Sequence, residues 1–182
     1  PNTGGMGAYS PVPALDQAMA THVLDTVIAP VVDELSPYVG VLFAGLMLTP
    51  AGPRVLEFNC RFGDPETQSL LPLVDGDLLA ALAAAAAGDL GHLRLERKAG
   101  AAVTVVLAAG DYPASGDRGS PITGIEAAEA TGALVFHAGT ALRDGAVVTN
   151  GGRIVNVTGV GDDLAAARSA AYAAADLISW NG

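Results

Sequence analysis

The residues best suited to chemistry lie together in Val55-Leu56-Glu57-Phe58-Asn59-Cys60-Arg61-Phe62-Gly63-Asp64-Pro65-Glu66. The run reads as a strand leading into a helix start, with alternating polar side chains. Positions two apart in a strand share a face, so Glu57, Asn59 and Arg61 point one way and Leu56, Phe58, Cys60 and Phe62 the other. A carboxylate and an amide oxygen at that spacing make a hard-oxygen pair suited to Mg²⁺. A guanidinium one step further along can hold a carboxylate or an acyl phosphate. Such a layout suits phosphoryl chemistry on an acid. A half-buried strand with one solvated polar face explains Glu57 and Asn59 equally well, so residue types alone leave both readings open.

The elements that must position these groups follow from pattern. Asp64-Pro65-Glu66 has helix-start chemistry: Asp as N-cap, Pro at the first helical position, Glu beside the positive end of the dipole. Free N–H groups at such a start suit an anion. Upstream, Val39 to Leu48 and Arg54 to Phe62 flank a Pro/Gly turn and predict a β-hairpin. Before them, Leu15, Met19, Val23, Val27, Val31 and Leu35 recur every fourth position, an amphipathic helix that Pro30 should kink or split. The opening Pro1 to Pro13 reads as a loop, and its Gly4-Gly5-Met6-Gly7 could bring backbone amides close to a ligand. It lacks the Lys-Ser/Thr of a P-loop, and a plain flexible terminus is the simpler alternative.

Beyond the site, one helix should end near Val74. A second should run from Leu78 to Ala87, started by Gly76-Asp77 and stopped by Gly88. Leu90 to Gly100, with Arg94, Arg97 and Lys98, reads as a linker or surface segment and a domain boundary. Strands follow at Ala102 to Ala109, Leu134 to His137, Ala146 to Thr149 and Arg153 to Val160. Asn150-Gly151-Gly152 reads as the hairpin turn between the last two. Asp162 or Asp163 should cap a final helix, Leu164 to Ile178.

The 182 residues suit one large or two small domains. Half are hydrophobic but only 5% aromatic, so the core must be built from Ala, Val and Leu. A net charge of −10 argues against nucleic acid, whose affinity comes from clustered Lys and Arg. Cys60 is the only cysteine, which excludes an internal disulfide and fits a reducing cytoplasm. Its strand parity predicts burial on the apolar face. The longest apolar run, Leu78 to Ala87, is too short to span a bilayer, and with no charged n-region followed by an apolar h-region at the opening we expect no signal peptide. The start at Pro1, inside a glycine-rich loop, leads us to expect the C-terminal part of a longer protein; a processed N-terminus is the alternative. His22 and His92 read as surface residues and His137 as a structural hydrogen-bonder. No Ser-His-Asp set or zinc spacing can be assembled.

Four segments together resemble the glycinamide ribonucleotide synthetase (phosphoribosylamine–glycine ligase) family, ATP-grasp ligases of de novo purine synthesis. They are Asn2 to Pro11, Glu57 to Gln68, Phe136-His137-Ala138-Gly139-Thr140 and Thr149-Asn150-Gly151-Gly152-Arg153. The resemblance implies an α+β fold. Residues 1–97 would be the second half of an ATP-grasp domain, an antiparallel sheet with helices carrying the metal site. Residues 98–182 would be a small C-terminal α+β domain.

The resemblance also implies ATP-dependent ligation of glycine to 5-phosphoribosylamine through glycyl phosphate. Glu57 and Asn59 would ligate Mg²⁺ or Mn²⁺ on the ATP phosphates. Arg61 and Asp64 would be catalytic, Asp64 holding a substrate amine. Gly4, Gly5, Met6, Gly7 and Arg153 would bind substrate. The partners implied are glycine, 5-phosphoribosylamine, ATP and the enzyme's upstream N-terminal part, with no nucleic acid and no membrane. The nucleotide clamp and phosphate-binding lysine belong to that upstream part, so this chain alone should bind ATP weakly and not turn over. The rivals are another ATP-grasp carboxylate–amine ligase and a catalytically silent binding module.

Overall fold

The computed structural model describes residues 3–182. In chain order the elements are β1 (Gly7–Ser10), α1 (Gln17–Val23), α2 (Ala29–Glu34), β2 (Phe43–Thr49), β3 (Gly52–Asn59), α3 (Glu66–Leu70), β4 (Val74–Asp75) and α4 (Leu78–Ala86). There follow β5 (Glu96–Arg97), β6 (Ala101–Ala108), β7 (Asp117–Pro121), α5 (Ile125–Ala130), β8 (Leu134–His137), β9 (Thr140–Arg143), β10 (Ala146–Gly151), β11 (Arg153–Gly161) and α6 (Leu164–Ala175). The strand pairings between these elements are antiparallel, giving an α+β protein.

They form two compact units. One gathers residues 3–11, 64–73 and 99–182; the other holds Val12–Gly63 and Val74–Lys98. One junction between them falls between Lys98 and Ala99. The first unit nevertheless also takes the opening residues and residues 64–73, which the sequence reading groups with the chain's first half. The cause is pairing: β1 adds to β6, with Gly7 opposite Val105 and Ser10 opposite Ala102. The opening segment is therefore a strand over 7–10, where the sequence suggests a continuous loop.

The first unit is built on a four-stranded sheet in the order β1-β6-β11-β8. On β11, Gly159 marks the face that α6 covers, because a Cβ there would lie 2.3 Å from the Ala171 nitrogen and 2.4 Å from the Ala167 oxygen. Ala167, Ala171 and Ala174 are fully buried against it, as Ala-rich helices permit. Thr104 and Thr158, facing each other across β6 and β11, share a 2.7 Å hydrogen bond on the opposite face. Short α3 contacts β1, β6 and β11, which leaves it that second face.

A bulge interrupts the β6–β11 register between Arg153 and Val155. Ile154 and Val155 both enter the core with Val157 and Ala174. The extra residue reverses the parity of Arg153. It would otherwise follow Val155 and Val157 toward α6; instead it turns to the α3 side.

The second sheet, β7-β10-β9, corrects the reading of Asn150-Gly151-Gly152. That segment is no hairpin turn: β10 pairs with β7 and β9, whereas β11 pairs with β6 and β8, so the chain passes there from one sheet to the other. The hairpin joins β9 to β10 through Asp144-Gly145, both at positive φ, 51° and 80°. Asp-Gly is the usual signal for that turn.

In the second unit, Pro30 does divide the long amphipathic helix. A π-helical segment, Leu24–Ile28, separates α1 from α2 and absorbs the missing N–H of Pro30. Asp77 caps α4 by accepting from the Ala80 N–H. The presumed linker carries a two-residue strand, β5, paired to β4. The β2–β3 hairpin stands as a two-stranded ribbon whose Leu56 is 63% exposed. Cys60 is exposed too, not buried as its parity suggests. Two strands cannot cover both their own faces.

Candidate functional site

Glu57 and Asn59 end β3, beyond the bulge that sets Gly45 opposite Glu57 and Leu46 opposite Val55. The irregularity falls before Glu57, so the two-residue alternation survives where it matters. The Asn59 Nδ2 donates to Glu57 Oε1 at 3.0 Å, which puts carboxylate and amide on one side of the strand. Both are hard-oxygen donors, one charged. No group of three or more His, Cys, Asp or Glu placed to hold a metal ion occurs among the described residues. Two protein ligands with further positions left to phosphate and water is how Mg²⁺ is commonly held, so the donor set fits. Arg61 lies past the end of β3, exposed, its Nη1 donating to the Phe62 carbonyl at 2.8 Å.

A second cluster lies within the first unit and brings residues from distant parts of the chain together. Arg153 Nη2 reaches Asp64 Oδ2 at 2.9 Å, and Nη1 donates to the backbone carbonyls of Gly5 and Asp64, both at 3.0 Å. The opening loop is pressed close: a Cβ on Gly5 would stand 2.4 Å from Pro65 Cδ, which only glycine avoids. Tyr112 Oη accepts from the Gly4 N–H at 3.2 Å. Met6 continues the loop into the sheet, its carbonyl accepting from Val106 N–H at 3.1 Å. Gly7 is the first residue of β1.

Asp64 therefore does not cap α3. The helix begins at Glu66, its N-cap is Pro65, and no side chain caps it. The Asp64 carboxylate is used elsewhere: Oδ2 takes Arg153 and Oδ1 takes Gln68 Nε2 at 2.8 Å. A charge-assisted bond to a guanidinium outweighs a cap. Sequence reasoning missed Gln68 and Tyr112. The signal for Gln68 was its place four residues after Asp64, one helical turn away. Tyr112 reads only as part of a turn.

The third and fourth segments meet at the Arg153 backbone. Gly139 N–H donates to the Arg153 carbonyl at 2.8 Å, and Asn150 N–H to the Gly139 carbonyl at 2.7 Å. His137 Nδ1 lies 3.0 Å from Thr140 Oγ1, in keeping with a structural role. Of the four segments singled out, Asn2 lies outside the described residues.

Comparison with known proteins gives a consistent picture. Residues 1–67 match the model of the phosphoribosylglycinamide synthetase ATP-grasp (A) domain, and residues 102–182 that of the phosphoribosylglycinamide synthetase C domain. A phosphoribosylamine–glycine ligase of Mesorhizobium japonicum is 47% identical over 99% of this chain, which spans 43% of that relative's length. The crystal structure of a Thermotoga maritima phosphoribosylamine–glycine ligase superposes with a TM-score of 0.82 at 38% identity, over all of this chain and 45% of that one. The Thermotoga maritima N5-carboxyaminoimidazole ribonucleotide synthetase, 19% identical, shares the fold with a TM-score of 0.67 over 96% of this chain and 45% of its own.

Proposed function

This chain belongs to the phosphoribosylglycinamide synthetase family, and from that premise we propose that it forms part of an ATP-dependent carbon–nitrogen ligase joining glycine to 5-phosphoribosylamine in cytoplasmic purine synthesis. Residues 1–97 supply the second half of an ATP-grasp domain and residues 98–182 the C-terminal domain. The chain spans less than half the length of the relatives it matches, and turnover draws on the portion they carry besides.

In the reaction, a glycine carboxylate oxygen takes the γ-phosphoryl group, the bond to the β-phosphate oxygen breaks, and ADP leaves. The amine of 5-phosphoribosylamine then attacks the acyl carbon and loses a proton. The carbon–oxygen bond to phosphate breaks, leaving glycinamide ribonucleotide and phosphate. Glu57 and Asn59 would hold Mg²⁺ or Mn²⁺, and the ion would supply charge neutralisation for the ATP phosphates. Arg61 orients the glycine carboxylate and offsets the oxyanion that develops at it. Asp64 receives a substrate amine. The Gly4–Gly7 loop lines the substrate pocket through its amides, and Arg153 holds that loop by donating to the Gly5 carbonyl. The single observation that carries the reading is the Glu57–Asn59 pair, two oxygen-bearing side chains in contact on one side of β3.

The test is a chimera in which this chain replaces the matching segment of the Mesorhizobium japonicum ligase. We expect ADP release that requires both glycine and 5-phosphoribosylamine, and a fall in kcat of about 10²–10³-fold on Arg61→Ala. ADP release with a different acid or amine in place of these would support another ATP-grasp ligase. No release with any acid would support a silent binding module.

A further inference from the structure

Both oxygens of the Asp64 carboxylate are engaged, each by a different partner. Gln68 Nε2 donates to Oδ1 at 2.8 Å and Arg153 Nη2 to Oδ2 at 2.9 Å. Only the nitrogen end of an amide suits an anion, which fixes how Gln68 lies. Its Oε1 is left buried without a hydrogen-bond partner among the described residues. The amide is thus held on Asp64 even though its own acceptor is orphaned.

Arg153 is committed as well. Besides Asp64 Oδ2, it donates to the Gly5 and Asp64 carbonyls, and the β11 bulge turns it to this side of the sheet. One guanidinium thereby fixes the carboxylate and the opening loop relative to each other.

A carboxylate offers about four lone-pair positions, so two protein donors leave about two. The Asp64 side chain is 40% exposed, so those positions are reachable. An ionised acceptor with open lone pairs suits a cationic N–H donor and repels phosphate. An amino-acid substrate carries its amine as ammonium at neutral pH, whereas an attacking amine must be neutral.

We propose that Arg153 and Gln68 are positioning residues that set Asp64 to receive the ammonium group of the amino-acid substrate, Arg153 acting through Asp64 rather than by touching substrate. This rests on the ligase reading above and names the part of the substrate that the cluster recognises.

Steady-state kinetics of the chimera test it, with glycine and Mg-ATP varied separately. Gln68→Met removes one donor and keeps the side-chain length. It should raise the KM for glycine about tenfold while the KM for ATP stays within about twofold. Arg153→Lys keeps the charge but loses the fork, and should raise glycine KM while preserving more activity than Arg153→Met. Should Arg153→Met fail to fold, Gln68→Met and Arg153→Lys decide the matter.

The proposal is overturned if glycine KM is unchanged in both of those variants. It is equally overturned if the KM values for glycine and ATP rise together with a lowered Tm, the mark of a merely structural role. If the unmutated chimera releases no ADP with glycine, the ligase reading falls and takes the substrate assigned to Asp64 with it.

Discussion

Asp117, the first residue of β7, accepts the Thr149 hydroxyl at 2.6 Å through Oδ2. Hydrogen bonds from the Ser120 and Thr149 side chains hold its carboxyl below the usual carboxylate range, against an opposing contribution from burial. The ionised form is therefore favoured in the folded state. Its stabilisation is present above the unfolded pKa of about 4 and is lost as pH falls through the lower folded value. Thermal melts below about pH 4 should show a steeper fall in Tm for the unmutated protein than for Asp117→Asn; parallel curves would contradict this. At the same scale, Glu57 and Asn59 are legible in the sequence because the strand rule needs only two positions and no knowledge of neighbours. Asp64 is not: helix-start chemistry is a local rule, and its actual partner is 89 residues away.

At the scale of elements, the contact between α6 and β11 depends on small residues. Gly159 meets the Ala167 and Ala171 backbone directly, so any side chain must push the helix off the sheet. Backbone atoms of a packed helix cannot step aside as a flexible side chain can. Gly159→Ala should cost about 1–3 kcal/mol or more, read as a lower urea midpoint at unchanged m-value; an unaltered midpoint would refute the close packing. Other helices follow local rules well. Asp77 and Asp163 cap α4 and α6 through their side chains, each accepting an N–H at 2.8 Å. Strand partners are less legible. Asn-Gly-Gly is a strong turn signal, yet β10 and β11 lie in different sheets, because pairing is settled by which edges meet and not by the residues between strands.

For the molecule as a whole, charge and length carry the argument. A net charge of −10 leaves few cations to hold a nucleotide's phosphates, and Arg153 is already bound to Asp64. The chain spans 43% of its Mesorhizobium japonicum relative. We expect titration of this chain alone with Mg-ATP to release little heat, and its mixture with glycine and 5-phosphoribosylamine to yield no ADP, where the chimera yields both. Turnover by the isolated chain would overturn that expectation.

The Glu57–Asn59 pair, the capped helices α4 and α6, the interruption at Pro30 and the alanine-rich core can all be read from residue order, since each rests on contacts within a few positions along the chain. The clamp on Asp64, the addition of β1 to β6, the exposure of Cys60 and the sheet change at Gly151-Gly152 came from folding alone. Each depends on which distant segments meet, or on how many strands stand beside a face, and a bulge of one residue at Ile154 was enough to turn Arg153 toward its partner.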